Sequence, residues 1–305
     1  MGRFVFIYPQ LSKKAMIGTV LALFAAVTLG LSVILVRKHS TESNAFNISL
    51  IISLTGIAVL WPLAVLLTDF GTINLEGLLL FAISGVLAPG LVRLLYYGGF
   101  KRLGAPVNAS LFAIYPLYSS FLAVLLLSEI LSLENWIGII LVIFGGIFVG
   151  TNSRKTKMGD KPSRKNLVLP IVGGLALAVS SIIRKYALNL YNAPVLGVAI
   201  AYTFSLLSYF LMLMLSASTR KELSLKSDLR FFWKAGIGQA LSWILIFYAL
   251  SYEQVSIVTP LLAIEPLFVA FFAYLYLRKL EYVSPKLVVS LFLTFFGIIF
   301  ITTKL

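Results

Sequence analysis

The sequence contains no cysteine, which excludes disulfides and thiolate metal sites. It has a single histidine, His39, read as part of a loop, and one imidazole cannot build a metal centre alone. No GxxxxGK[ST] loop occurs, so nucleotide hydrolysis through this chain is not an energy source. Charge is scarce: 12% of residues are charged, and only 11 of 305 are Asp or Glu. So few acids with one histidine cannot assemble a His/Asp/Glu catalytic constellation. The chain reads as a non-enzyme, with no cofactor and no metal.

What is abundant is apolar. Hydrophobic residues make up 60% of the chain, more than a water-soluble fold of this size tolerates on its surface. They fall in runs of about 20 residues, the length of a helix that crosses a hydrocarbon core. The runs predict ten spans at 15–36, 47–68, 77–99, 105–127, 133–151, 167–187, 194–216, 231–252, 255–277 and 283–303. Helices are expected because each satisfies its own backbone in lipid, whereas barrel strands would be about half as long and would alternate apolar with polar residues. The first run lacks a small-residue cleavage site and reads as a span rather than a cleaved leader. The expected fold class is an all-α polytopic membrane protein in a prokaryotic cell membrane.

The +14 net charge sits in loops and calls for no nucleic-acid partner. One side collects Arg37, Lys38, Lys101, Arg102, the basic run 154–165, Arg220, Lys221, Lys226, Arg230, Lys234, Arg278, Lys279 and Lys286. The other side holds Arg3, Lys13, Lys14, Arg184, Lys185 and Lys304, with acidic loops at Asp69 and Glu76, at Glu129 and Glu134, and at Glu253. The positive-inside rule makes the first side cytoplasmic and puts both termini outside, against the pull of the basic N-terminal segment.

The second half repeats the first. FAIYP (Phe112 to Pro116) matches LAIEP (Leu262 to Pro266), LLYYGGFKRLGA from Leu94 matches LIFYALSYEQVS from Leu245, and Val36-Arg37-Lys38 matches Ile183-Arg184-Lys185. Asn44-Ala45 likewise matches Asn192-Ala193. The expected division is 1–151, a basic cytoplasmic linker at 152–166, and 167–305. Five spans per copy is an odd number, so the second copy must be inverted in the bilayer, with a site near the midplane between the halves.

The tyrosine-rich third span, the KRLGA turn, the mid-span proline and LLLSEILSLENWIGIILVIFGGIFVG (Leu125 to Gly150) resemble the EamA domain of the drug/metabolite transporter superfamily. The second copy keeps AIEP and a terminal FGIIF but has Arg278-Lys279-Leu280 where the first has Ser128-Glu129-Ile130. The resemblance implies a ten-helix basket with a central cavity lined by the first four helices of each half, and the fifth and tenth helices outside. Proteins similar in this way move amino acids, nucleotide precursors, sugar phosphates and other metabolites.

Two charges are read as lying deep inside spans. Glu265, in mid-span before Pro266, costs a few kcal/mol in lipid and is expected to face a partner or a wet cavity; it is a candidate for substrate binding and proton coupling. The structural alternative is a carboxylate bonded to Thr259 or a tyrosine. Arg93 follows Ala88-Pro89-Gly90, a sequence expected to kink its helix. Its planar fork suits a carboxylate or phosphate, and an internal pair with Glu265 or with a helix C-terminus is the alternative. Tyr97, Tyr115, Gln239 and Trp243 are the further substrate-binding candidates, against a strong alternative of helix packing and interfacial anchoring for such aromatics. Pro89, Gly90, Pro116 and Pro266 are candidate hinges. Gly146 and Gly150 form a GxxxG that fits either packing against the tenth span or a homodimer through helix 5 or 10.

These features favour a secondary carrier of a small amphipathic metabolite, an amino acid or organic anion, working by alternating access, with export and proton coupling expected. The alternatives are a flippase for lipids or lipid-linked precursors and a passive channel, although no ring of like residues of the kind channels use is visible.

Overall fold

The computed structural model describes residues 9–40, 43–71, 73–103, 108, 111–152, 164–276 and 285–302. Among these the regular structure is helical throughout, as a backbone that must satisfy itself in lipid requires. Helix α1 runs over Pro9–His39, so His39 closes a helix rather than sitting in a loop. Helix α2 (Ala45–Leu67) starts where Asn44 accepts from the Asn47 amide at 2.8 Å, and α3 (Leu75–Gly85) where Asn74 accepts from the Gly77 amide. These are N-caps of the usual amide kind.

A wide π-helical turn at Val86–Leu91 separates α3 from α4 (Val92–Leu103), and Ala88 within it is extended at φ −142°. The remaining helices are α5 (Tyr115–Leu127), α6 (Leu133–Asn152), α7 (Arg164–Leu190), α8 (Pro194–Leu215), the short α9 (Ala217–Lys221), α10 (Leu225–Tyr252), α11 (Val255–Leu262), α12 (Glu265–Tyr276) and α13 (Pro285–Thr302). Residues 153–163 of the expected linker lie outside the described residues, as do the Arg278-Lys279-Leu280 departure and the expected span ends at 105, 277, 283 and 303.

Six helical stretches are long and apolar enough to cross a membrane, and four more are apolar but shorter. Each overlaps one of the ten expected runs, and the four shorter ones cover only part of theirs. Two of the short ones are cut by breaks immediately before Tyr115-Pro116 and Glu265-Pro266, where turns at 113–114 and 263–264 interrupt the helix. A proline lacks the amide that would bond back one turn, so each restart places it in the first turn of a new helix.

Contacts run chiefly between the two halves, and they come in matched pairs. Helix α1 packs on α10 and on α11–α12, while its sequence counterpart α7 packs on α3–α4 and on α5. Helix α2 meets α8, α5 meets α11, and α6 meets α13. At this last contact a Cβ on Gly138 would stand 2.7 Å from the Gly297 carbonyl, and one on Gly297 would stand 2.8 Å from that of Gly138. Gly145 abuts Thr294, and Gly146 faces Ala113 and Ala263. Gly138, Gly145 and Gly146 of α6 are therefore taken up within the chain. Its opposite face exposes Ile137, Ile140, Phe144 and Phe148, the kind of surface lipid tails cover.

Candidate functional site

A cavity of about 140 Å³ lies where the broken helices meet. All six residues singled out from the sequence line it: Arg93, Tyr97, Tyr115, Gln239, Trp243 and Glu265. So do two of the four candidate hinges, Pro89 and Pro266. Gly90 and Pro116 are buried one residue further along their helices and do not line it. Apolar walls come from Leu29, Val33, Val92, Leu177, Ile246 and Leu262.

The local breaks explain how polar groups reach this depth. The opened turn at Val86–Leu91 frees carbonyls, and side chains from the other half cover them. Tyr209 donates to Gly90 O at 2.8 Å and Pro89 O at 3.3 Å, and Arg184 Nη2 donates to Ala88 O at 3.3 Å. At the facing breaks, Tyr115 donates through its hydroxyl to Thr259 O at 2.9 Å, and the Ser119 and Thr259 hydroxyls are 2.7 Å apart. The two halves thus satisfy each other's irregular backbone, which is how non-helical turns survive at membrane depth.

Arg93, only 5% exposed, does not pair with Glu265. It donates from Nη1 to Ser53 Oγ at 2.8 Å and from Nη2 to the Tyr202 hydroxyl at 3.1 Å. Gln239 donates to the Tyr97 hydroxyl at 2.7 Å. Glu265 begins α12, where a carboxylate favours the helix N-terminus. It makes no hydrogen bond or ion pair to any described residue, and the hydroxyl expected as its structural partner, that of Thr259, is occupied by Ser119 and Val255 O. Tyr97 lies within electrostatic reach of both Arg93 and Glu265, and Tyr115 within reach of both Glu265 and Arg184.

Arg184 is the residue that sequence reasoning misplaced. On sequence it counts with the cations of the outer side, three residues short of the expected span end at 187. Helix α7 continues through Leu190, which sets Arg184 six residues, about 9 Å, inside the helix. It is 1% exposed, lines the cavity, and lies over Trp243 and Phe247 at 4.6 and 4.8 Å from the ring centroids. Asn192-Ala193-Pro194, the first helix-breaking sequence after Arg184, is the available sign that the helix ends only near there. The adjacent Lys185 also leaves the loop tally: its ammonium donates to Leu250 O and Glu253 O at the end of α10, where a cation suits the carbonyl-rich terminus.

Beyond the cavity, the buried carboxylate of Glu129 accepts from the amides of Val255 and Ser256, at 2.8 and 3.0 Å, and from the Ser256 hydroxyl. A loop of the first half thereby caps a helix of the second. No group of three or more His, Cys, Asp or Glu residues is placed to hold a metal among the described residues.

A model of the EamA-like transporter family matches residues 16–151 and 165–303. An uncharacterized transporter from Clostridium kluyveri is 27% identical over 145 residues, 47% of this chain and 47% of its own length. The alignment thus spans about half of that relative. A solved crystal structure superposes over 95% of this chain and 96% of its own with a TM-score of 0.74 at 14% identity, a likeness of fold.

Proposed function

The chain belongs to the EamA-like transporter family, and on that premise we propose that it is a secondary carrier moving a small amphipathic metabolite by alternating access. It is a multi-pass membrane transporter of the drug/metabolite transporter kind. In the proposed mechanism it crosses the membrane ten times, as two inverted five-helix halves that rock about the cavity and carry solute outward. The basic loops face the cytoplasm, in a prokaryotic cell membrane.

The observation that carries this reading is convergence. Arg93, Tyr97, Tyr115, Gln239, Trp243 and Glu265 come from four separate helices of both halves and meet at one cavity, beside three places where helices are broken. Broken helices at a site between repeats supply the polar backbone that solutes and coupling ions use in carriers. Glu265, without a partner among the described residues, takes up and releases the coupling proton. Pro89-Gly90, Pro116 and Pro266 accommodate the change in helix direction as the halves rock.

The test is purified protein in liposomes loaded with a panel of small labelled metabolites, with and without an imposed pH gradient. Saturable, protein-dependent flux of at least one amphipathic solute, accelerated by the gradient, is expected. Flux that never saturates would favour a channel, and movement of lipid between leaflets without solute flux would favour a flippase.

A further inference from the structure

We infer that Arg184 is an anion-binding residue, and that the solute it holds carries a single carboxylate on an apolar body. This deepens the carrier reading and rests on it.

The argument begins with hydrogen-bond accounting. Both Nη2 donors of Arg184 are engaged, by Ala88 O and by Ser180 Oγ at 3.0 Å. Nε is buried with no partner, and Nη1 donates to no described residue. No carboxylate among the described residues pairs with it. A guanidinium that is almost wholly buried in a membrane-spanning helix is costly, and stacking on Trp243 and Phe247 offsets only part of that cost. Stacking also uses the flat face of the guanidinium, which leaves its in-plane N–H edge for an acceptor. The group borders the cavity, so the missing acceptor is a visitor.

Arg93 does not offer the same opening. Its Nη1 and Nη2 already hold Ser53 and Tyr202, so it fixes the wall rather than waiting for a ligand. This assigns the anion to the arginine that the sequence reading counts only with the outer-side cations. A single available guanidinium neutralises one negative charge. Glu265 borders the same cavity and repels a second, so a carboxylate fits and a phosphate dianion does not. Leu29, Val33 and Ile246 provide the apolar wall for the remainder of the solute. At about 140 Å³ the cavity is comparable to one that admits a benzene ring, roughly 150 Å³.

The test is calorimetric titration of the purified full chain in nanodiscs with benzoate, its neutral isostere benzamide, and phenyl phosphate. Benzoate is expected to bind at least tenfold more tightly than either of the others. Arg184→Gln should weaken benzoate at least tenfold and leave benzamide unchanged. Arg184→Lys, which keeps the charge and is the safer variant for folding, should weaken benzoate by a smaller factor because it lacks the fork. Equal affinity for benzoate and benzamide, preference for phenyl phosphate, no binding of any probe, or unchanged benzoate affinity in both variants would overturn the assignment. Flux of neutral or cationic solutes alone would sink the Arg184 site and leave the carrier. Benzoate binding with no flux of any solute would do the reverse.

Discussion

Arg93 of the first half donates to the Tyr202 hydroxyl of the second at 3.1 Å, with its guanidinium carbon 5.1 Å from the centre of the same ring. Both side chains are buried, so one donor–acceptor pair ties the halves together inside the membrane. Tyr202→Phe keeps the ring and leaves Nη2 without its acceptor. The expected cost is about 2 kcal/mol, in the range for stranding a charged donor. Thermal unfolding in detergent should show the loss, and a variant as stable as the parent would mean that the contact contributes nothing.

Glu265 has no bonded partner among the described residues. If it carries the coupling proton, Glu265→Gln removes the charge while keeping size and hydrogen-bonding capacity. The variant should still exchange labelled solute across liposomes with equal pH on both sides, while an imposed gradient should no longer accelerate net flux. A gradient response equal to that of the parent would place the proton elsewhere.

Glu129 ties the loop after α5 to the start of α11 through two amides and a hydroxyl. Glu129→Ala strands buried amides in the way that loss of an N-cap does, for about 1–2 kcal/mol. Because the link joins the two halves, transport should change along with stability. Unchanged unfolding temperature and unchanged initial flux would together contradict a role for it.

Two glycine substitutions separate close packing from open space. Gly138→Leu drives a side chain into the Gly297 carbonyl and Ile301 and should abolish monodisperse protein on size-exclusion chromatography. Gly98→Ala, where an added Cβ meets nothing within 4 Å, should be neutral or stabilising by up to about 1 kcal/mol, as helical Gly→Ala changes are. Similar behaviour of the two variants would mean that α6 and α13 do not pack as described.

The sequence made the helices legible because membrane spans announce themselves by length and hydropathy, and it made the pairing of the halves legible through the two AI-x-P motifs. The cavity residues were readable for a related reason: Arg93 and Glu265 are anomalous in lipid wherever they point. What it could not give was partnership. An Arg93–Glu265 pair was plausible on charge alone, but the actual acceptors, Ser53 and Tyr202, lie 40 and 109 positions away in sequence and carry no charge to mark them. Arg184 was missed because its expected span ended at 187, close enough to the edge for it to be counted with the outer-side cations. Helix α7 extends through Leu190, six residues beyond Arg184, whereas α1 closes at His39, two residues beyond the matching Arg37.

The central claim is that one cavity opens in turn to both sides of the membrane, and the absence of cysteine from the chain makes it directly measurable. Ser181 lines the cavity and bonds only within its own helix, to Leu177 O, so Ser181→Cys is a mild change. A membrane-impermeant maleimide applied to right-side-out vesicles, and separately to inside-out vesicles, should label this single thiol in both, and a transported solute should slow labelling in both. Labelling from one side only, or from neither, would contradict alternating access through this cavity.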